Sequence, residues 1–513
     1  MKCWNAGIMG LGILFFYPSF QYSIIPFRPL PVGGRPSGNG VLDLSRPKDL
    51  SAIFQPRSIA LVGVPRGFEP GRVFLQGLLD QGYPGKIFPV NPRADFIDGL
   101  RAYPSVKEIP EDIDLAIILV PAPLVLPALE QCGEKRVKAA VIYTSGFAET
   151  GDGEGKKREE EILRVARKLG IFLIGPNCMG IYDPNHRLAF FPGLPREAGK
   201  VGMISQSGSL AILFSRMAEA RGIHFSKIIS SGNESDLNSS DFLSFLGEDP
   251  ETEIIGAYLE GVKDGSTFLG ALREASSKKP VILWKAGRTP KGARAASSHT
   301  GSLAGSRMAW DALKDQARVL TVRDAEEFLD FLTVFYYLPR RGGKRLAILS
   351  GPGGPAVAAA DACEEFGLEV AELQEETRKE LKKIIPQTGT SANNPVDLGL
   401  ASVFQVDLYW RAAEIVGRDP GVDTLILQGR GATAELDFQY ASGVIEAHRK
   451  IGKPFIAISL GGMYLEDKSK EALLKAGIPI FPSAERALWA YSHLVLGPGN
   501  KLTKSDPDAR SRG

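Results

Sequence analysis

Histidine is scarce in this chain, with five among 513 residues. Cysteine is scarcer: Cys3, Cys132, Cys178 and Cys363 lie far apart, without zinc-site spacings or the density of a disulfide scaffold. That pattern implies a reduced, cytoplasmic setting. An excess of one charge is also missing. A net charge of +2 gives no bulk field for nucleic acid or a membrane surface, so neither is expected as a partner. The longest apolar stretch near the start, Ile8 to Tyr17, is too short to span a bilayer and is followed by Pro18, Gln21 and Pro26. No clean signal-peptidase site follows it. Residues 1–45 therefore read as an extension ahead of a genuine start near Val41 to Ser45. The dinucleotide fingerprint Gly-x-Gly-x-x-Gly is absent after the first strand, which disfavours a nicotinamide dehydrogenase.

What the chain does contain, from Arg57 onward, is alternation of short β-branched runs with longer helical stretches. Such alternation implies parallel sheets covered on both faces, hence an α/β fold. Three units follow: a Rossmann-like domain over 46–185, a second over 186–339 and a third over 340–500, with a polar tail over 501–513. In the third unit Gly351-Pro-Gly-Gly354 lacks the lysine–serine ending of a P-loop and reads as strand–helix packing or a subunit contact. Asn393-Asn-Pro-Val-Asp397 reads as a structural turn.

In the first unit, three turns are expected on one sheet edge. Gly63-Val-Pro-Arg66 leads toward a helix N-terminus, Asn91-Pro-Arg93 supplies a cation, and Thr144-Ser145-Gly146 supplies donors. Singly each suits an ordinary turn; together they suit a phosphorylated ligand. Gly175-Pro-Asn177-Cys178 approaches the same edge, where Cys178 reads as a small buried residue rather than a nucleophile, since no base stands by to activate it.

The second unit carries the chemistry. Strand, Ser205-Gln-Ser207-Gly208, helix is an anion cradle of hydroxyls, free amides and dipole, although Ser207 could equally be a plain N-cap. Asn233 and Glu260 follow further strands. Gly287 to Ser306, rich in Ala, Ser, Thr and Gly, reads as a mobile loop around His299, with Arg288, Lys291 and Arg294 just upstream. Imidazole can carry a phosphoryl group covalently, and a carboxylate such as Glu260 would fix its tautomer. Ser205, Ser207, Asn233, Glu260 and His299 are expected on one rim of one sheet. No metal ligand set is expected.

Ser297-Ser-His-Thr-Gly-Ser-Leu-Ala-Gly305, Lys285-Ala-Gly-Arg288, Ser205-Gln-Ser-Gly208, Tyr258-Leu-Glu-Gly261, Gly175-Pro-Asn177 and Asn394-Pro-Val-Asp397 resemble the signatures of one family. It is the α subunit of NDP-forming acyl-CoA synthetases, relatives of succinyl-CoA synthetase, over residues 46–497. The resemblance implies a CoA-binding Rossmann-like domain followed by two flavodoxin-like, succinyl-CoA synthetase-like domains. It implies acyl-CoA and phosphate giving an acyl phosphate, which phosphorylates His299; a nucleoside diphosphate then takes the phosphoryl group. Glu260 would orient the imidazole, and Ser205, Ser207, Gly208 and Asn233 would hold phosphate. CoA would lie at Gly63, Arg66, Arg93, Thr144, Ser145, Gly146, Asn177 and Cys178. Two departures stand out. The usual Gly-Ala-Ser opening of the CoA loop is Gly63-Val-Pro65, and no ATP-grasp region is present. Magnesium and ADP/ATP, or GDP/GTP, are thus expected on a separate β subunit. Intact His299 and Glu260 favour an enzyme over a CoA-binding regulatory or scaffold protein; the altered Gly63 loop leans the other way.

Overall fold

A computed structural model describes residues 50–300, 310, 312–313, 316–338, 342–459 and 467–497, with backbone alone at 51–52, 295 and 297–300. The N-terminal extension and the polar tail read from the sequence lie outside these residues.

Three sheets follow one another along the chain. The first has five parallel strands in the order Lys86–Val90, Ser58–Val62, Leu115–Ile118, Ala139–Ile142, Phe172–Ile174. Helices Arg72–Gln81, Ala122–Glu134 and Gly153–Leu169 connect them. Helix Arg72–Gln81 stops at Gly82, which at φ 68° donates its N–H to Leu78 and Leu79 carbonyls, a left-handed geometry that favours glycine.

The second sheet runs Leu320–Val322, Val281–Lys285, Ile254–Leu259, Val201–Ser205, Phe225–Ser230, Gly180–Tyr182. Its first five strands are parallel, while Gly180–Tyr182 pairs antiparallel with Phe225–Ser230. The all-parallel expectation therefore needs correcting at that edge. A segment read as the end of the first unit contributes a strand to the second sheet.

The third sheet is parallel, in the order Glu369–Val370, Arg345–Ser350, Thr424–Gln428, Phe455–Ile458, Ile480–Phe481, with Val396–Asp397 also beside Arg345–Ser350. The structural role read for Asn393–Asp397 has a visible basis. The Asn394 amide accepts from Ile348 N at 2.9 Å and donates to Leu346 O and Ala371 O, both at 2.8 Å.

Strand alternation sets where the cores sit. In the first sheet Ile59 and Leu61 face a cluster shared with the second sheet, and Ala60 and Val62 face a separate one. In the third sheet Leu346 and Ile348 join the shared cluster while Ala347 and Leu349 face their own. Period-2 side-chain geometry thus welds the three units along one apolar seam. An ion network reinforces the contact between helices Ala325–Tyr337 and Ala484–Leu496. Asp330 accepts from Arg221 Nη1 at 2.8 Å and from Arg486 Nε and Nη2 at 2.6 and 2.7 Å. No described helix is long and apolar enough to cross a membrane.

Asp330→Ala should leave the Arg221 and Arg486 guanidiniums to the half-exposed Glu326 carboxylate alone and lower stability by about 2 kcal/mol. Urea unfolding followed by tryptophan fluorescence measures it; an unchanged midpoint would show the network contributes nothing.

Candidate active site

Parallel strands of the second sheet end on one edge, and the predicted residues follow from that. Ser205 is the last residue of its strand, Asn233 follows Phe225–Ser230, Glu260 follows Ile254–Leu259, and Lys285 closes Val281–Lys285. The ends are laced together by Ser231 N to Ser205 O at 2.9 Å, Gln206 N to Tyr258 O at 3.1 Å and Ala286 N to Leu259 O at 2.9 Å.

The cradle is tightly satisfied internally. Ser205, fully buried, donates its hydroxyl to Ser207 O at 2.7 Å. Ser207 caps helix Gly208–Glu219, accepting from Leu210 N at 3.4 Å, and its hydroxyl also meets that of Ser209 at 3.2 Å. The capping alternative is therefore realised at Ser207, which leaves the helix dipole in place behind it.

Glu260 is 6% exposed. Its carboxylate accepts from Tyr258 Oη at 3.4 Å, and burial, assisted by that carboxylate, pushes the Tyr258 phenol up to about 12. The main chain of the Glu260–Gly261 turn is held by two side chains the sequence reading did not assign. Gln206 Oε1 accepts from Glu260 N at 2.5 Å and Gly261 N at 3.1 Å, and Gln206 Nε2 donates to Gly261 O at 2.9 Å. Lys285 Nζ donates to Glu260 O at 2.8 Å and also to Ala286 O. Burial pulls this ammonium down to about 8, against the attraction of Glu260. A lysine ending an apolar strand was a readable signal. Gln206 gave none, because its partners lie 54 and 55 residues away.

The His299 segment corrects the sequence reading. Residues over Pro290–Thr300 form an α-helix, not a mobile loop. Pro290 is pre-set for a first helical position, Thr289 Oγ1 accepts from Gly292 N at 3.0 Å, and the alanines favour helix over coil. His299 lies in the last turn of this helix, and its side chain and residues 301–306 fall outside what is described. The helix packs on the Ala148–Thr150 turn of the first unit. Of the upstream cations, Lys291 and Arg294 are exposed, and Arg288 donates to Arg323 O at 3.1 Å.

On the first sheet the three expected turns meet. Gly63, at φ 87°, packs so closely on Val120 that a Cβ would fall 2.4 Å from its Cγ1. Arg66 Nη1 donates to Arg93 O at 3.2 Å, Asn91 Nδ2 to Val64 O at 2.9 Å, and Thr144 Oγ1 to Val120 O at 2.6 Å. Arg72, missed from sequence, fastens the altered loop by donating to Pro65 O at 2.7 Å while pairing with Asp98. Ser145 is exposed beside Gly146.

The two edges join at Asn177 and Asn233. Asn233 N donates to Pro176 O at 3.0 Å and Asn177 Nδ2 to Asn233 Oδ1 at 3.4 Å. The Asn233 amide does not stand open for an anion, since Nδ2 donates to Glu149 at 2.5 Å and Glu159 at 2.9 Å. Glu149 also accepts from Gly146 N at 2.6 Å and Phe147 N at 3.1 Å. Cys178 is 4% exposed with its thiol directed at Ile142 O and Ile174 O, and burial pushes it up to about 12. It is no thiolate nucleophile near neutral pH. Among the described residues, Asp183, His186 and Glu251 cluster like metal ligands, but the Lys227 ammonium pairs with both Asp183 and Glu251 there.

Three domain families match in chain order: a CoA binding domain over residues 57–184, a Succinyl-CoA ligase like flavodoxin domain over 198–335 and a Ligase-CoA domain over 346–497. That order defines the CoA-handling part of an acid–CoA ligase. The chain is 41% identical over 461 residues to the Acetate–CoA ligase (ADP-forming) II subunit alpha of Pyrococcus furiosus, covering 87% of this chain and 97% of the relative. It is 38% identical to the Acetate–CoA ligase (ADP-forming) I of Archaeoglobus fulgidus, covering 89% of this chain and 64% of that protein. The dinucleotide forming Acetyl-coenzyme A synthetase 1 of Ca. Korarchaeum cryptofilum, solved with phosphate and ADP, superposes with a TM-score of 0.78 at 35% identity, covering 87% of this chain and 96% of that one. The chain belongs to the family of ADP-forming acyl-CoA synthetase α subunits.

Iodoacetamide at pH 8 should leave Cys178 unmodified in the folded chain and alkylate it after guanidinium unfolding. Peptide mass mapping distinguishes the two; equal labelling of both forms would contradict the burial described.

Proposed function

We propose that this chain is the CoA-binding α subunit of an NDP-forming acyl-CoA synthetase, an acid–thiol ligase working through an acyl phosphate and phosphorylated His299. Family membership supports the reaction class. The observation that carries the route is the packing of the His299-bearing helix on the Ala148–Thr150 turn, directly after the proposed CoA contacts.

In the acyl-CoA-consuming direction, a phosphate oxygen attacks the thioester carbonyl, the C–S bond breaks and CoA leaves as its thiol after taking a proton. An imidazole nitrogen of His299 then attacks phosphorus, and the P–O bond to the acyl group breaks to release the carboxylate. A terminal oxygen of the nucleoside diphosphate attacks the same phosphorus, freeing the imidazole and forming the triphosphate. Glu260 holds the ring in one tautomer and offsets its positive charge. The helix N-terminus at Ser207 and Gly208, with Ser205 fixing the turn, faces negative charge. Phosphate competes with Glu149 and Glu159 for the Asn233 amide.

CoA lies along Gly63, Arg66, Arg93, Thr144, Ser145 and Gly146, with Asn177 and Cys178 shaping the end of the cleft. Arg66 and Arg93 supply the positive charge its phosphates need. Nucleotide and magnesium belong to a separate ATP-grasp β subunit. The match covers 64% of the Archaeoglobus relative, whereas the Pyrococcus α subunit is matched along 97% of its length. The cytoplasmic setting follows from the cysteine pattern alone.

Calorimetry on the isolated chain should give CoA binding that weakens about tenfold in Arg93→Ala, the scale of losing a charge-assisted phosphate contact. Acyl-CoA-dependent ATP or GTP formation should be absent for the chain alone and appear when an ATP-grasp subunit is added. No heat at millimolar CoA, or full turnover without a partner, would contradict the reading.

A further inference from the structure

The Glu260–Gly261 turn leaves a fully buried strand, so its main-chain polar groups cannot turn to water and must find partners. Three of them, Glu260 N, Gly261 N and Gly261 O, are satisfied by the one side-chain amide of Gln206. The fourth, Glu260 O, is satisfied by Lys285 Nζ. A primary amide suits this task because it presents an acceptor and a donor side by side in one plane. Gln206 is itself pinned: its own N–H donates to Tyr258 O, on the strand that ends in the turn. Only 5% exposed, with both ends of its amide engaged, it is not placed to bind a ligand directly.

The clamp reaches three pieces of the second-sheet edge. Gln206 sits between Ser205 and Ser207, so it ties the helix N-terminus at Gly208 to the turn that carries the Glu260 carboxylate. Lys285 grips the same turn and also Ala286 O, at the start of the segment leading to helix Pro290–Thr300. We propose that Gln206, backed by Lys285, is a positioning residue that fixes the Glu260 carboxylate relative to the phosphate-facing helix and to the helix bearing His299. This rests on the reading of Glu260 as the partner of His299. Supporting groups of this kind commonly matter by one to two orders of magnitude, because small misplacements are costly in transfer chemistry.

The test is a double-mutant cycle on the full chain, following the rate at which labelled acetyl phosphate phosphorylates His299. Gln206→Met keeps the side-chain volume and removes the three hydrogen bonds to the Glu260–Gly261 turn, together with the one to the buried Glu234 carboxylate. It should slow labelling about tenfold or more, with CoA affinity changed less than about twofold. On the Glu260→Gln background the same substitution should cost less than about twofold, since a residue acting only through Glu260 has nothing left to position. Gln206→Glu keeps the acceptor for both N–H groups and should recover part of the rate. Should Gln206→Met fail to give a folded far-UV spectrum, Gln206→Glu takes its place in the cycle, with a loss of about threefold expected. Wild-type labelling in the Gln206 variant, or effects of Gln206 and Glu260 that multiply in full, would overturn the proposal. Label that persists in His299→Ala would instead overturn the functional reading itself, whatever Gln206 does.

Discussion

Parallel pairing in the second sheet is the constraint on which the candidate site depends. When neighbouring strands run the same way, every carboxyl end falls on one edge, and the turns leaving those ends become neighbours. Ser205, Ser231, Glu260 and Ala286 are far apart in sequence, yet successive hydrogen bonds link their turns. Each strand is almost wholly buried, so the turns emerge from apolar surroundings where polar groups have few alternatives to one another.

That shortage of alternatives explains the density of side-chain to main-chain bonding along the edge. Gln206, Lys285, Ser205 and Ser207 each satisfy main-chain groups that would otherwise be stranded. The seam with the first sheet is built the same way. Glu149 and Glu159 collect the Asn233 amide together with N–H groups of the Gly146–Ala148 turn. A site assembled from saturated turns is rigid before any ligand arrives, which suits chemistry that depends on fixed geometry.

Much of this was legible because periodicity and turn chemistry agreed. The alternation of β-branched runs with helical stretches from Arg57 onward appears as sheets whose strands are joined by helices. The shared edge was legible for the same reason: strand ends followed by Ser, Asn and Glu. Other features were hidden. Gly180–Tyr182 is three residues long, flanked by turn residues, and finds its antiparallel partner only in tertiary contact. The small residues around His299 suggested a loop, but alanine propensity with Pro290 and the Thr289 hydroxyl gave a helix over Pro290–Thr300. The part played by Gln206 could not be read at all, since a polar residue's long-range main-chain partners leave no local pattern.

The central claim is that one imidazole on this chain carries the phosphoryl group between acyl and nucleotide chemistry. The most direct measurement is to incubate the full chain with phosphorus-labelled acetyl phosphate, digest it and locate the label by mass spectrometry. The account predicts a single acid-labile, alkali-stable label on His299 that is absent from His299→Ala. A label on Ser298, or one that survives in His299→Ala, would contradict it.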